Sequence, residues 1–331
     1  MDKECWLVTG GAGYIGSHIV DRLLESRRKV VIFDSLINGL ESRVKYLERK
    51  HETKITFVKA DMRDCDLLEK TLVEFEPKGV VHTAALKSVS ESFVEASKYF
   101  DVNFNATREL TNLMTKYQIK ELVFSSTAAV YGSQTHANFV KEVDPTNPVS
   151  PYGDSKLAAE KVVTTFLSQE GNRGMSLRFF NVVGTESRNL LDDSKDNLIP
   201  ILLDRIRLNK DPVIYGIDYP TRDGTCVRDY VDVRDIARAH VSLLSFSGTL
   251  PPVVNIGSGI GTSVREIINL VYSISGLPTP SALEIDRRIG DPAILCADVS
   301  LALKELGFEA KFDIRESISS MIEARFSDNN I

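Results

Sequence analysis

The first half of the chain repeats one pattern of hydrophobic and polar positions. Short, mainly apolar runs lie at 6–9, 30–33, 55–58, 79–82 and 121–125. Between them lie helix-length stretches whose apolar residues return every three or four positions, at 15–24, 65–75 and 99–117. Strands apolar on both faces that alternate with amphipathic helices predict a parallel sheet covered on both sides. The second half is less regular. A polar stretch at 181–197 reads as loop, 197–208, 264–275 and 299–306 as helices, and 212–215 and 253–256 as strands. Pro278 and Pro280 break the chain between the last two helices. This half is expected to form a smaller α/β lobe.

Composition narrows the class. The chain has 331 residues, with 40 Lys+Arg against 46 Asp+Glu, a net charge of -6 that argues against a nucleic-acid partner. No apolar run reaches the roughly 18 residues a membrane helix needs, so no membrane partner is expected. Cys5, Cys65, Cys226 and Cys296 are scattered without a C-x-x-C pair. They read as reduced thiols of a cytoplasmic protein, with no metal site. The opening residues run directly into the first strand and lack the pattern of an export signal.

Candidate chemistry begins after the first strand. Gly10, Gly13 and Gly16 have G-x-x-G-x-x-G spacing between a strand and a helix. Such glycines allow a tight turn, close approach of a pyrophosphate and close helix–strand packing, while the helix N-terminus favours the phosphate charge. Asp34 ends the second strand about 20 residues on, where a carboxylate accepts both ribose hydroxyls of NAD and repels a 2′-phosphate. Asp61 and Met62 close the third strand beside the expected adenine. Thr83, Ala84 and Ala85 follow the fourth with small side chains. The fold expected is therefore a Rossmann-type doubly wound parallel sheet with a smaller α/β C-terminal lobe. Residues 1–178, with a return near 229–255, form the NAD domain, and 179–228 and 256–331 form the substrate lobe.

Ser150-Pro151-Tyr152-Gly153-Asp154-Ser155-Lys156 opens an amphipathic helix. Tyr152 and Lys156 are four apart and share a face. A free phenol has a pKa of about 10. A neighbouring ammonium and a cationic nicotinamide are expected to lower it, making Tyr152 an acid/base group. Thr127 lies at the end of the fifth strand, where open α/β sheets meet their ligands, and is placed to bond the same substrate hydroxyl.

Taken together, these stretches resemble the extended short-chain dehydrogenase/reductase family, and within it the UDP-glucose 4-epimerase group. The matches are TGGAGYIGSH (9–18), HTAALKSVSES (82–92), FSSTAAVYG (124–132), SPYGDSK (150–156), LRFFNVVG (177–184), DYPTRDGTCVRDYVDV (218–233) and RRIGDPA (287–293). They span nearly the whole chain. The resemblance implies an NAD-dependent 4-epimerase of a UDP-hexose, working through a transient 4-keto sugar, as a homodimer through helices around 93–117 and 152–167. It implies that Tyr152, Lys156 and Thr127 are catalytic. It adds Tyr14, Ile15, Asn38, Lys87, Asn103, Ser125 and Phe179 to the cofactor contacts. For the nucleotide sugar it implies Lys87, Thr127, Tyr152, Asn181, Asn197, Leu198, Tyr215, Arg228, Arg288, Asp291 and Leu295. Arginine suits the diphosphate because its planar fork binds phosphate bidentately.

Two departures from the family pattern stand out. The loop between Gly184 and Asn197 is short, and Leu295 stands where the family gates pocket size, leaving more room than Tyr and suggesting that an N-acetylated sugar fits. A 4,6-dehydratase commonly carries an Asp-Glu pair after the threonine, where this chain has Ala128-Ala129. A UDP-glucuronate 4-epimerase or decarboxylase uses the same hydride chemistry and stays open. A non-catalytic NAD sensor is disfavoured because Tyr152 and Lys156 are both present.

Overall fold

A computed structural model describes residues 4–133, 139–288 and 290–327. Residues 1–3, part of the opening read as lacking an export signal, and Ile289 of the 287–293 motif lie outside them.

The chain begins with β1 (Cys5–Thr9), α1 (Tyr14–Glu25), β2 (Lys29–Asp34), α2 (Glu41–Lys50), β3 (Thr56–Lys59), α3 (Cys65–Phe75) and β4 (Gly79–His82). Next come α4 (Val89–Val94) and α5 (Ala96–Tyr99), a π-helical turn (Phe100–Asn105), α6 (Ala106–Lys116), β5 (Glu121–Thr127), α7 (Pro151–Leu167) and β6 (Arg173–Phe179). Then follow β7 (Asn181–Val183), α8 (Leu198–Arg207), β8 (Val213–Tyr215), β9 (Val227–Asp232), α9 (Val233–Leu243) and β10 (Val253–Ile256). The chain closes with β11 (Gly261–Ser263), α10 (Val264–Ile274), β12 (Leu283–Ile285), β13 (Ile294–Leu295), α11 (Ser300–Leu306) and α12 (Ile314–Phe326).

Two compact units result. The first comprises 1–130, 150–178 and 236–254, the second 131–149, 179–235 and 255–331. The first is built on a seven-stranded sheet of order β10-β6-β5-β4-β1-β2-β3. The β1–β2, β1–β4, β2–β3 and β4–β5 pairs are parallel, and the order reverses direction at β1, as in a doubly wound sheet. Alternate residues Leu7, Val31, Phe33, Val80, Leu122 and Phe124 pack on α3, α6 and α7. The intervening Trp6, Val8, Ile32, Val81 and Val123 are equally buried. That double burial is the origin of the mainly apolar runs.

The second unit has a small sheet in which β9 pairs antiparallel with β11 and parallel with β7 and β13. β12 and β8 form a separate parallel pair. Its core gathers Ile199, Leu202 and Leu203 of α8, Ile267, Ile268 and Val271 of α10, and Ile318, Met321 and Ile322 of α12. No helix among the described residues is long and apolar enough to cross a membrane.

Several expectations need correction. The stretch 181–197 is not all loop, since β7 and a 3₁₀ turn at Arg188–Leu190 lie within it. The single helix expected over 99–117 is interrupted by the π-helical turn, at which Asn103 turns inward. β6 and β9 carry the charged residues Arg178, Arg228, Asp229 and Asp232, all of them buried. Those charges hid both strands from a reading based on apolar runs.

Candidate active site

The phosphate turn follows from β1 running directly into α1. Gly10 has φ +69°, and a Cβ there would lie 2.7 Å from the Ala84 backbone nitrogen. A Cβ on Gly16 would collide with the Gly10 carbonyl oxygen. Only glycine satisfies both positions. No side chain caps α1 and no acidic residue sits in its first turn, so the helix end keeps its positive character toward an anion. Tyr14 and Ile15 open that helix.

Asp34 closes β2 at 7% exposure. Its carboxylate accepts from Ala12 N at 2.9 Å and from Leu36 N at 2.8 Å. Burial raises its pKa even so, leaving a desolvated acceptor that ribose hydroxyls would satisfy. Glycine cradle, open helix end and buried acceptor together fit a dinucleotide. Asn38 is exposed on the following loop. Met62 is buried, whereas the Asp61 carboxylate is held by Arg63 at 2.8 Å. Thr83 donates to the Thr9 carbonyl at 2.6 Å, and Ala84 and Ala85 follow it, with Lys87 exposed beyond.

Asn103 explains its own π turn. Its Oδ1 accepts from Leu86 N at 2.8 Å, and its Nδ2 donates to Leu86 O and to Ser155 Oγ, each at 3.0 Å. It thus ties the backbone next to Lys87 to α7, between Tyr152 and Lys156. A wider helical turn at such a site is typical of functional positions.

Ser150 caps α7, accepting from Gly153 N, and Pro151 stands in the first turn. This fixes where Tyr152 and Lys156 fall. The Tyr152 ring packs against Leu86, Tyr99 and Val102, with the Tyr99 ring edge-on at 6.4 Å. Its hydroxyl is near the Thr127 side chain, which favours the ionised phenol. The expected lowering of the phenol counts on a cationic nicotinamide as well, and the protein groups by themselves act in the other direction. Burial raises the phenol pKa, and the nearby Thr127 side chain opposes that rise only in part. Lys156 is 3% exposed, with Nζ 4.1 Å from the Phe124 ring centroid. Burial pushes its ammonium down to about 7, opposed by the charge of Glu160.

Nearby, His82 Nε2 meets Thr107 Oγ1 at 2.9 Å and Nδ1 meets Thr9 Oγ1 at 2.6 Å. Thr107 donates its own proton to the Asn103 carbonyl, so His82 carries its proton on Nε2. Burial and then the Lys156 charge push His82 down to about 3, so it stays neutral. Ser125, expected beside the cofactor, directs its hydroxyl to His240 at 3.0 Å.

Of the expected nucleotide-sugar residues, Lys87, Thr127 and Tyr152 lie in the first unit and the others in the second. Phe179 and Asn181 stand at the passage from β6 to β7. Asn197 precedes α8 and donates to Asp192 at 2.6 Å, and Leu198 begins the helix. Arg228 lies buried on β9, ion-paired with Asp291. The exposed Arg288 stacks its guanidinium 3.9 Å from the Tyr215 ring centroid. Leu295 sits on β13 opposite Arg228, at 9% exposure.

Sequence reasoning missed a buried triad in the first unit. Arg178 Nε donates to Glu160 Oε2 at 3.0 Å, and Ser126 Oγ donates to the same oxygen at 2.7 Å. The available signal was a charge on the apolar side of α7 facing a charge inside β6.

A glycine turn, an acid closing the second strand and a Thr–Tyr–Lys set on a doubly wound sheet define a dinucleotide-dependent enzyme of the short-chain dehydrogenase/reductase type. Residues 6–257 match the NAD dependent epimerase/dehydratase family, and the chain belongs to that family. It is 37% identical to the UDP-glucose 4-epimerase of Lacticaseibacillus casei, over 97% of this chain and 95% of that one. Its structure is similar to that of UDP-glucose 4-epimerase from Stenotrophomonas maltophila, determined with bound NAD and formylated UDP-arabinopyranose. The TM-score is 0.91 at 37% identity, covering 97% and 98% of the two chains. The Bifidobacterium longum enzyme in complex with NAD+ and UDP gives 0.91 at 33% identity, covering 98% and 99%.

Proposed function

We infer that this chain is an NAD-dependent 4-epimerase of a UDP-hexose, interconverting UDP-glucose and UDP-galactose through a 4-keto sugar. The observation that carries the reading is that Thr127, at the mouth of β5, lies close enough to the Tyr152 phenol to favour its ionised form, with Lys156 one turn further along the same helix face. Ala128 and Ala129 occupy the positions where elimination chemistry would place its acids.

Gly10, Gly13, Tyr14, Ile15, Gly16 and Asp34 would hold the dinucleotide at its pyrophosphate and adenosine ribose. When bound, NAD supplies an acceptor and then a donor for the hydride of C4. Tyr152 takes the proton of the sugar 4-hydroxyl and later returns one, a role typically worth 10²–10⁴-fold. Thr127 stabilises the phenolate by donating to it. Lys156 offsets its charge and holds the nicotinamide ribose. Asn181, Asn197, Leu198, Tyr215, Arg228, Arg288 and Asp291 anchor the nucleotide while the keto sugar presents its other face. The reaction is redox-neutral overall.

The finer assignments are part of the same proposal. Leu295 in place of a larger ring favours acceptance of the N-acetylated pair as well. Phe93, Val94 and Phe100 are exposed around α4 and the π turn, which supports a homodimer through that face. Four free thiols support a reducing, cytoplasmic location.

The deciding experiment incubates the purified protein with UDP-galactose, UDP-N-acetylglucosamine and UDP-glucuronate and identifies the products. Conversion of UDP-galactose to UDP-glucose supports the reading. Turnover of the glucuronate alone replaces it with the uronate branch of the family, and no turnover with bound NAD makes the chain a sensor. Failure on the N-acetyl sugar removes only the Leu295 argument.

A further inference from the structure

The Glu160–Arg178–Ser126 triad lies outside the residues assigned to cofactor, proton transfer or nucleotide. All three are buried, at 4%, 5% and 1% exposure. Arg178 grips the Glu160 carboxylate through both Nε and Nη2, at 3.0 and 2.5 Å. Ser126, immediately before Thr127 on β5, adds a third donor. The triad therefore joins the strand that ends in Thr127, the helix that carries Tyr152 and Lys156, and β6.

Removing two charges from water is costly, and a pair of well-packed apolar residues would stabilise as well. A buried ion pair is thus poorly explained by stability alone. Its position suggests another use. Glu160 lies four residues beyond Lys156, so the two side chains share the buried face of α7. We propose that Glu160, clamped by Arg178 and Ser126, is a positioning residue for catalysis. Its carboxylate is the counter-charge that keeps the Lys156 side chain an ammonium on the helix face it shares with Tyr152.

The groups around Lys156 agree with this. β4 presents His82, neutral in its hydrogen-bonded tautomer, and β5 presents the Phe124 ring. The π turn and α6 present the uncharged Asn103 and Thr107, which bond to Ser155 and His82. Arg178 on β6 is held against the Glu160 carboxylate, whose charge it shares with Lys156. The charge that favours the ammonium against its burial is that of Glu160.

The proposal rests on the epimerase reading for its kinetic readout but not for its titration. Glu160→Gln alone would strand the Arg178 charge, so Glu160 and Arg178 are replaced together by Met. The full-length variant with bound NAD is compared with wild type by NMR titration of the Lys156 side chain, assigned through Lys156→Met. The alkaline limb of kcat with UDP-galactose is measured in parallel. The expected result is a folded, NAD-loaded variant whose Lys156 midpoint falls by at least about one pH unit. The alkaline limb moves with it, and kcat at pH 8 drops about tenfold, as one unit of displacement implies. An unmoved Lys156 midpoint in the folded variant overturns the proposal and leaves the triad as scaffold. If the double variant does not fold, Glu160→Asp, which keeps the charge but withdraws it by one methylene, is titrated instead. A smaller downward shift supports the proposal and no shift overturns it. An inactive wild type refutes the epimerase reading, while the Lys156 titration still reports on Glu160.

Discussion

The two units bury their chains in different ways. In the first, neighbouring residues of each central strand are buried on opposite faces of one sheet, and the buried charges Asp21, Asp34, Arg43, Lys156, Glu160 and Arg178 lie on helices or near strand ends. In the second, the sheets are short, β12 is exposed along its whole length, and the central strand β9 buries Arg228, Asp229 and Asp232. The first arrangement gives a closely packed backbone on which, by the proposed function, a dinucleotide would rest. The second buries charged side chains in its central strand, at the expense of regular pattern, and on the proposed function Arg228 among them serves the nucleotide diphosphate. Rigid floor and polar grip are thus divided between different stretches of the chain.

The most severe test of this division is Tyr152→Phe. It is expected to cut kcat by about 10²–10⁴-fold while bound NAD, measured after denaturation, stays at the wild-type level. Loss of NAD along with activity would mean the ring is part of the floor and not of the chemistry. Next, Leu122→Ala in the first unit should cost about 2–5 kcal/mol in denaturant unfolding, whereas Leu283→Ala on β12 should stay within about 0.5 kcal/mol. Leu122 is fully buried and Leu283 is 58% exposed. Similar costs for the two would erase the contrast.

Arg228→Met should raise the KM for UDP-galactose by about tenfold to a hundredfold, equivalent to a charged hydrogen bond of roughly 1.5–3 kcal/mol. NAD content should not change. A fall in NAD content would move Arg228 from the grip to the floor.

The smallest expected effect concerns pH. Lys156 is pushed down to about 7 in the fold, against about 10.4 when unfolded. Between these values the unfolded chain binds the extra proton, so stability rises with pH there, and below pH 7 the full cost of burying the charge remains. Wild type should therefore gain on the order of a few degrees in Tm from pH 7 to pH 10 relative to Lys156→Met. Parallel curves for the two proteins would contradict it.

The same contrast explains what was legible in the sequence. The helix at 65–75 and the strand at 79–82 lie where the apolar pattern puts them, because the helix buries one face at helical spacing and the strand is buried at every position. The glycine turn and Asp34 were legible because few side chains fit those backbone positions. β9 was not, because its buried positions are filled by residues that need partners distant in sequence, such as Asp291 for Arg228 and Ser317 for Asp232. The burial that works against the expected lowering of Tyr152 was not legible for a related reason. Spacing along a helix shows which groups share a face, but the desolvation imposed by Leu86, Tyr99 and Val102 comes from other elements.

The division of the chain also bears on its synthesis. The first unit is interrupted after residue 130 and again after 178, and it is completed only by 236–254. The second waits for α12, whose Ile318, Met321 and Ile322 fill its interior. Neither unit can therefore be finished when the ribosome has made half of the protein. A nascent chain arrested near residue 200 would carry an unclosed sheet edge and bare apolar helices, the state in which assistance by chaperones matters most.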